Sequence, residues 1–109
     1  MRPGSDRGIP THMANPRLEP DDMARRLSAL PGWTLAGDAL HREYKFADFV
    51  EAFGFMAAAA LVAERMNHHP EWFNVWNTVR VDLRTHDAGG ITALDFELAA
   101  AMERLAGRK

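Results

Sequence analysis

"PEWFNVWNTVRVDLRTH", residues 70–86, is the stretch whose reading decides the fold. Phe73, Val75, Val79, Val81 and Leu83 occupy odd positions, while Asn74, Arg80, Asp82, Arg84 and His86 occupy even ones. Side chains alternate between the two faces of a strand, so this pattern predicts a sheet with one core face and one polar face. Asn77 interrupts the apolar series and marks either a bulge or a break into two strands.

Upstream of it, Asp48 to about Asn67 is expected to be a long helix, because Phe49, Val50, Phe53, Met56, Ala57, Ala60 and Leu61 recur at spacings of three and four. Between Phe53 and Ala63 the segment is apolar almost all round, unlike a helix with one wet face. A chain of 109 residues builds one modest core, which rarely covers every side of a helix. A subunit contact is therefore preferred over complete burial within the domain. Further back, Trp33–Leu35 and Leu40–Phe46 flank the turn residues Gly37 and Asp38 and predict a hairpin. Pro20, Asp21 and Asp22 open a short first helix, with acidic groups at the positive end of its dipole. Met23, Leu27 and Leu30 share its face until Pro31 and Gly32 stop it.

Downstream, "DAGG" at 87–90 is a loop, and Thr92 opens a last helix with an expected buried stripe of Leu94, Leu98, Ala101, Met102 and Leu105. The order is helix, two strands, long helix, strand or two, helix. It lacks the repeating strand–helix–strand unit that parallel crossovers need, and so predicts an α+β fold with helices on one face of an antiparallel sheet.

Composition narrows the function. Apolar residues make up 47% and charged residues 26%, the balance of an ordinary globular domain. The formal charge is −2 and no basic run exceeds the Arg25–Arg26 pair, so direct nucleic-acid binding has no electrostatic footprint. Cysteine is absent, which excludes disulfides, a thiol nucleophile and cysteine-ligated zinc, and fits a reducing compartment. The longest apolar run, Ala52 to Ala63, is well short of the ~20 residues a membrane-spanning helix needs. "MRPGSDRGIPTH" has no apolar segment of the secretory type, so a cytoplasmic location is expected. Residues 1–15 are expected to be disordered ahead of a single domain at 16–109. Met13 suggests that what precedes it is a cloning remnant or lies before an alternative start.

The chemistry gathers around "MNHHPEWFNVW", residues 66–76. Glu64 and His68 lie four apart on the long helix, where a carboxylate can hold and charge an imidazole, although solvated pairs of this kind are common. His69 precedes Pro70, which disfavours helical geometry at His69 and makes it the residue that ends the helix. The helix dipole alone would also favour two histidines there. His86 closes the strand on its polar parity. Asp95 stands three residues after Thr92 in "TALD", a capping-box pattern that accounts for it structurally. Trp72 and Trp76 share the parity of His86 and offer flat surfaces for a planar heterocycle, or simply cover for the sheet. Imidazoles titrate near ~6.5 and move protons both ways at neutral pH, so the set favours acid–base chemistry on a flat polar molecule. A zinc triad from His68, His69 and His86 ranks below metal-free catalysis, because adjacent histidines diverge and no HxH or HExxH spacing occurs. Ser5 and Ser28 lie outside this region and no GxSxG elbow exists, which disfavours a serine triad.

The segment "FGFMAAAALVAERMNHHPEWFNVWNTVRVDLRTHDAGGITALDFELA", residues 53–99, resembles the signature region of the pterin-4a-carbinolamine dehydratases, or 4a-hydroxytetrahydrobiopterin dehydratases. The likeness runs from Trp33 to Leu105 and is carried by Glu64, "HHP", "EWFNVW", Val81, Leu83, "TH" and Asp95. It implies three helices against a four-stranded antiparallel sheet. It also implies a lyase reaction: water is lost from the 4a-hydroxy pterin that aromatic amino acid hydroxylases release, giving the quinonoid dihydropterin, with no metal or organic cofactor. On this resemblance His68, His69 and His86 are the catalytic positions, with His68 and His86 as acid and base. Glu64 and Asp95 match the family's acidic positions, and Trp33 matches a tryptophan near the pocket mouth; Trp72 is kept as a supporting aromatic. The implied partners are a pterin substrate and a second copy, as a homodimer or homotetramer through the long helix. Trp76 and Arg80 depart from the animal members, and the run Ala57–Ala60 leaves the oligomer open. Two alternatives carry the same fold: a dimerisation module for a homeodomain transcription factor, as in animal relatives, and a role in molybdopterin cofactor metabolism.

Overall fold

A tight hairpin stands where the sequence reading allowed a bulge or a break. The computed structural model describes residues 15–107, so the segment expected to be disordered lies outside the described residues except for Asn15. Within them run α1 (Pro20–Leu27), β1 (Thr34–Ala36), β2 (Ala39–Lys45), α2 (Phe49–Met66), β3 (Glu71–Val75), β4 (Thr78–Leu83), a 3-10 turn (His86–Ala88) and α3 (Ala93–Leu105). The sheet order is β1-β2-β4-β3, antiparallel throughout. Three helices and a four-stranded antiparallel sheet make the expected α+β fold.

Asn77 marks a break: Val75 pairs with Thr78 across a two-residue turn in which Trp76 takes a positive φ of 50°. The tip is fastened to the end of β2, where Phe46 N donates to Asn77 O at 2.8 Å and Asn77 Nδ2 donates to Phe46 O at 2.9 Å. This turn inverts the parity expected for β3. Paired residues share a face, and the register matches Trp72 with Val81 and Asn74 with Val79. Val79, Val81 and Leu83 are buried as expected, but Phe73 and Val75 point outward and are 51% and 54% exposed. Phe73 instead faces Arg80, whose guanidinium lies 4.5 Å from the ring centroid.

The long helix starts where expected. Asp48 accepts from Glu51 N at 2.8 Å, and Glu51 Oε1 accepts from Ala47 N at 2.7 Å, which satisfies two of the free amides at this end. Its buried face is not the one picked out by the large residues. Ala52, Phe55, Ala59 and Ala63 turn inward, whereas Phe49, Val50, Phe53 and Leu61 are exposed. Small alanines let the helix approach the sheet and α3 closely around Phe55, while Phe49, Val50, Phe53 and Leu61 are left on the far side. On α3 the buried residues include Asp95, Phe96, Leu98, Ala99, Ala101 and Met102. Leu94 is half-buried and Leu105 is 41% exposed, so neither end of the expected stripe is core.

The core is mostly aliphatic, with Leu40 paired opposite Leu83 and both fully buried, each contributing roughly 1.5–3 kcal/mol. One polar pin crosses it. The Glu103 carboxylate accepts from Trp33 Nε1 at 2.8 Å, from Arg42 Nε at 3.1 Å and from the Tyr44 hydroxyl, tying α3 to β2 and to the start of β1. Among the described residues no helix is long and apolar enough to cross a membrane.

Candidate active site

The C-terminus of α2 determines where the first histidine goes. Asn67 adopts the left-handed conformation at φ 52°, Asn67 N donates to Glu64 O at 3.1 Å, and His68 N donates to Ala63 O at 3.0 Å. This is a Schellman closure, which folds the residue after the left-handed one back over the last turn. Asparagine tolerates that conformation, so Asn67 ends the helix, not His69 as the following proline suggested. As a result His68 is buried, at 8% exposure, while His69 stays outside.

The expected pairing of Glu64 with His68 does not form. Glu64 Oε1 meets His69 Nε2 at 2.8 Å, and both side chains are mostly solvated. His68 turns the other way, and its Nε2 lies 2.6 Å from Oδ1 of Asp95. Asp95 is fully buried. Its Oδ2 accepts from Thr92 N at 2.9 Å, closing the capping box of α3, and from Thr85 Oγ1 at 2.9 Å. Asp95 thus serves as the structural cap through Oδ2 while Oδ1 meets the imidazole of His68.

His86 arrives from the opposite side, at the start of the 3-10 turn that follows β4. Thr85 holds this turn by pairing with Gly90 in an isolated bridge, and Gly89 closes it at φ 73°. His86 Nε2 lies 3.0 Å from Glu71 Oε2, and Glu71 also pairs with Arg84, which reaches Asp38 at 3.1 Å. Desolvation would lower the value of the Arg84 guanidinium, but Glu71 and Asp38 outweigh it and hold the group above its ordinary value. Arg84 is thus a fixed cation beside His86.

His68, His69 and His86 line one cleft of about 580 Å³, together with Asn67, Pro70, Glu71, Arg84, Thr85, Asp87 and Leu94. That volume lies within the usual range of small-molecule clefts. Other expected site residues lie elsewhere. Trp33 is 3% exposed and bonded to Glu103 in the core, not at the cleft mouth. Trp72 packs partly against the core and borders a separate depression with Phe73, Arg80 and Asp82; its inward parity, set by the hairpin, separates it from His86. Trp76 sits at the hairpin tip, 64% exposed. Among the described residues no group of three or more His, Asp or Glu side chains is arranged to hold a metal ion. Sequence reasoning missed Thr85, Glu71 and Arg84. The "RTH" run adjoining His86 was the available signal for two of them.

A capped helix, a Schellman turn and a strand end thus deliver three imidazoles to one cleft in an α+β fold. The profile of the family described as Pterin 4 alpha carbinolamine dehydratase matches residues 16–105, and the chain belongs to that family. A protein of Solibacter usitatus is 59% identical over 90 residues, covering 83% of this chain and 95% of its own. A protein of Rhizobium johnstonii is 58% identical over 94 residues, covering 84% and 93%. Both carry the name "Putative pterin-4-alpha-carbinolamine dehydratase". A crystal structure from Brucella melitensis, described as a transcriptional coactivator/pterin dehydratase, superposes with a TM-score of 0.82 at 49% identity. It covers 84% of this chain and 99% of its own.

Proposed function

We propose that this chain removes water from a 4a-hydroxytetrahydropterin to give the quinonoid dihydropterin, in tetrahydropterin recycling, with imidazoles moving the protons. In this reaction the carbon–oxygen bond breaks and the hydroxyl departs as water, taking a proton from an imidazolium. A ring nitrogen gives its N–H proton to a neutral imidazole, and the freed electron pair forms the new carbon–nitrogen double bond. Each transfer is worth on the order of a hundredfold or more in rate. The observation that carries this reading is the meeting of His68, His69 and His86 on one cleft in a member of this family. His68, backed by the buried Asp95, and His86, beside Glu71, serve as the acid–base pair; His69, bonded to the solvated Glu64, binds substrate.

The test generates the hydroxylated pterin in situ and follows its dehydration by wild type, His68→Ala and His86→Ala. Wild-type protein that does not exceed the spontaneous rate eliminates the enzymatic reading. Full activity in both variants removes the roles assigned to these side chains. The exposed stripe of Phe49, Val50, Phe53 and Leu61 on α2 supports assembly with a second copy as a dimer or tetramer. Sedimentation in dilute solution tests this, and a strict monomer rules it out.

A further inference from the structure

Resting on the dehydratase reading, we infer that Thr85 is a positioning residue: its hydroxyl fixes the Asp95 carboxylate, whose other oxygen holds the imidazole of His68 with the lone pair of Nδ1 open to the cleft. The inference comes from counting donors around one buried carboxylate. Asp95 Oδ2 lies 2.9 Å from Thr85 Oγ1 and 2.9 Å from Thr92 N, and Oδ1 lies 2.6 Å from His68 Nε2. A carboxylate only accepts, so Thr85 must spend its single hydroxyl proton on Asp95.

That choice orders the rest of the chain. Thr85 Oγ1 and Thr92 Oγ1 are 2.7 Å apart, and with the Thr85 proton committed, the Thr92 hydroxyl is the donor between them. Thr92 Oγ1 in turn accepts from Leu94 N at 3.2 Å. The direction runs from the first turn of α3 through Thr92 and Thr85 into Asp95, and all three side chains are buried. The last acceptor position, Oδ1, then receives Nε2–H of His68. In the neutral ring the other nitrogen, Nδ1, carries the lone pair. Nδ1 has no hydrogen-bond partner among the described residues, and His68 lines the cleft, so the lone pair is available to substrate. The hydroxyl of Thr85 bonds Asp95 and Thr92, not the imidazole. It holds the carboxylate that holds the ring.

The experiment reads the ring nitrogens of His68 by 15N NMR on the basic side of its titration, alongside steady-state dehydration. Wild type is expected to show the proton on Nε2. Thr85→Val, which keeps the shape and removes the hydroxyl, is expected to keep the Nε2 tautomer, because the carboxylate still only accepts, but to loosen the Asp95–His68 hydrogen bond, read as a shift of the Nε2 resonance, and to lower kcat about tenfold with KM within about twofold. Thr85→Ser, which restores the donor, is expected to recover both signals. A wild-type His68 protonated at Nδ1 overturns the inference, as does a folded Thr85→Val with a wild-type Nε2 resonance and kcat. Should Thr85→Val not fold, Thr85→Ala removes the same hydroxyl without adding an apolar methyl against Asp95, and the wild-type spectrum still decides. The NMR readout needs no pterin. Wild-type protein that fails to accelerate dehydration would therefore sink the dehydratase reading while leaving the tautomer result to stand or fall by itself.

Discussion

Replacing Asp95 by asparagine is the sharpest perturbation of the cleft, because it changes one atom in a site where three donors already have fixed directions. Thr92 N and Thr85 Oγ1 both point at Oδ2, each at 2.9 Å, and the backbone amide cannot reverse its role. The oxygen of the new side chain must stay on that side to preserve the cap of α3. The NH2 group is then turned towards His68 Nε2, which lies 2.6 Å from the remaining position. Donor now faces the nitrogen that was itself a donor, so the ring must move its proton to Nδ1, the nitrogen on the cleft side. The cap and the fold survive. The stability lost is that of one hydrogen bond to a charged group, about 1.5–3 kcal/mol, or a melting temperature lower by roughly 10 °C in a domain this size. Catalysis loses much more, because the lone pair no longer faces substrate: kcat is expected to fall about 10²–10⁴-fold. Far-UV circular dichroism and a thermal melt establish the fold, and dehydration of the in situ pterin gives the rate. An Asp95→Asn protein that is native-like and stays within about threefold of the wild-type rate would refute the reasoning, since the His68 tautomer would then be irrelevant.

Three further outcomes follow from the rest of the structure. Tyr44 is the single tyrosine, and burial, followed by its hydrogen bond to Glu103, raises its ionisation well above the ordinary value of 10.0. The unfolded chain then loses this proton first, so folding stability falls as pH rises past about 10 and Tyr44→Phe flattens that slope. Tyrosinate absorbance near pH ~10 in protein with native circular dichroism would contradict it. Glu103→Ala leaves the Arg42 guanidinium, the Trp33 indole N–H and the Tyr44 hydroxyl without their shared acceptor, and is expected to lower stability by about 2–4 kcal/mol in denaturant titration. An effect under about 0.5 kcal/mol would show the pin to be dispensable. The double change Phe53→Asp and Leu61→Asp, on exposed positions of α2, is expected to yield a folded monomer by sedimentation; an unchanged oligomer would place the contact elsewhere.

The family motif and the histidines that line the cleft were legible in residues 64–95 as written, and so were the element types. Periodicity announced the sheet and the long helix, "TALD" announced the cap, and "HHP" with a distant "TH" announced three imidazoles. Each of these is local chemistry, within a few residues of chain, which is why it could be read without coordinates. Periodicity gives alternation but not its sign. A two-residue turn at Trp76–Asn77 turned β3 over, exposing Phe73 and Val75 and drawing Trp72 inward, away from His86. On α2, periodicity announced a helix but not which face packs inward: Phe49, Val50, Phe53 and Leu61 face outward, while Phe55 and three alanines pack against the core. Trp33 went to the core because its indole found Glu103, 70 residues away. The choice of carboxylate for each histidine was likewise a tertiary matter. Glu64 lies within a helical turn of both His68 and His69, yet the left-handed Asn67 swings His68 away from it and onto Asp95, 27 residues along the chain. Sequence determined which groups the chain possesses and what elements carry them. Only folding decided which buried oxygen each imidazole would meet, because that depends on the distance between segments the chain itself keeps apart.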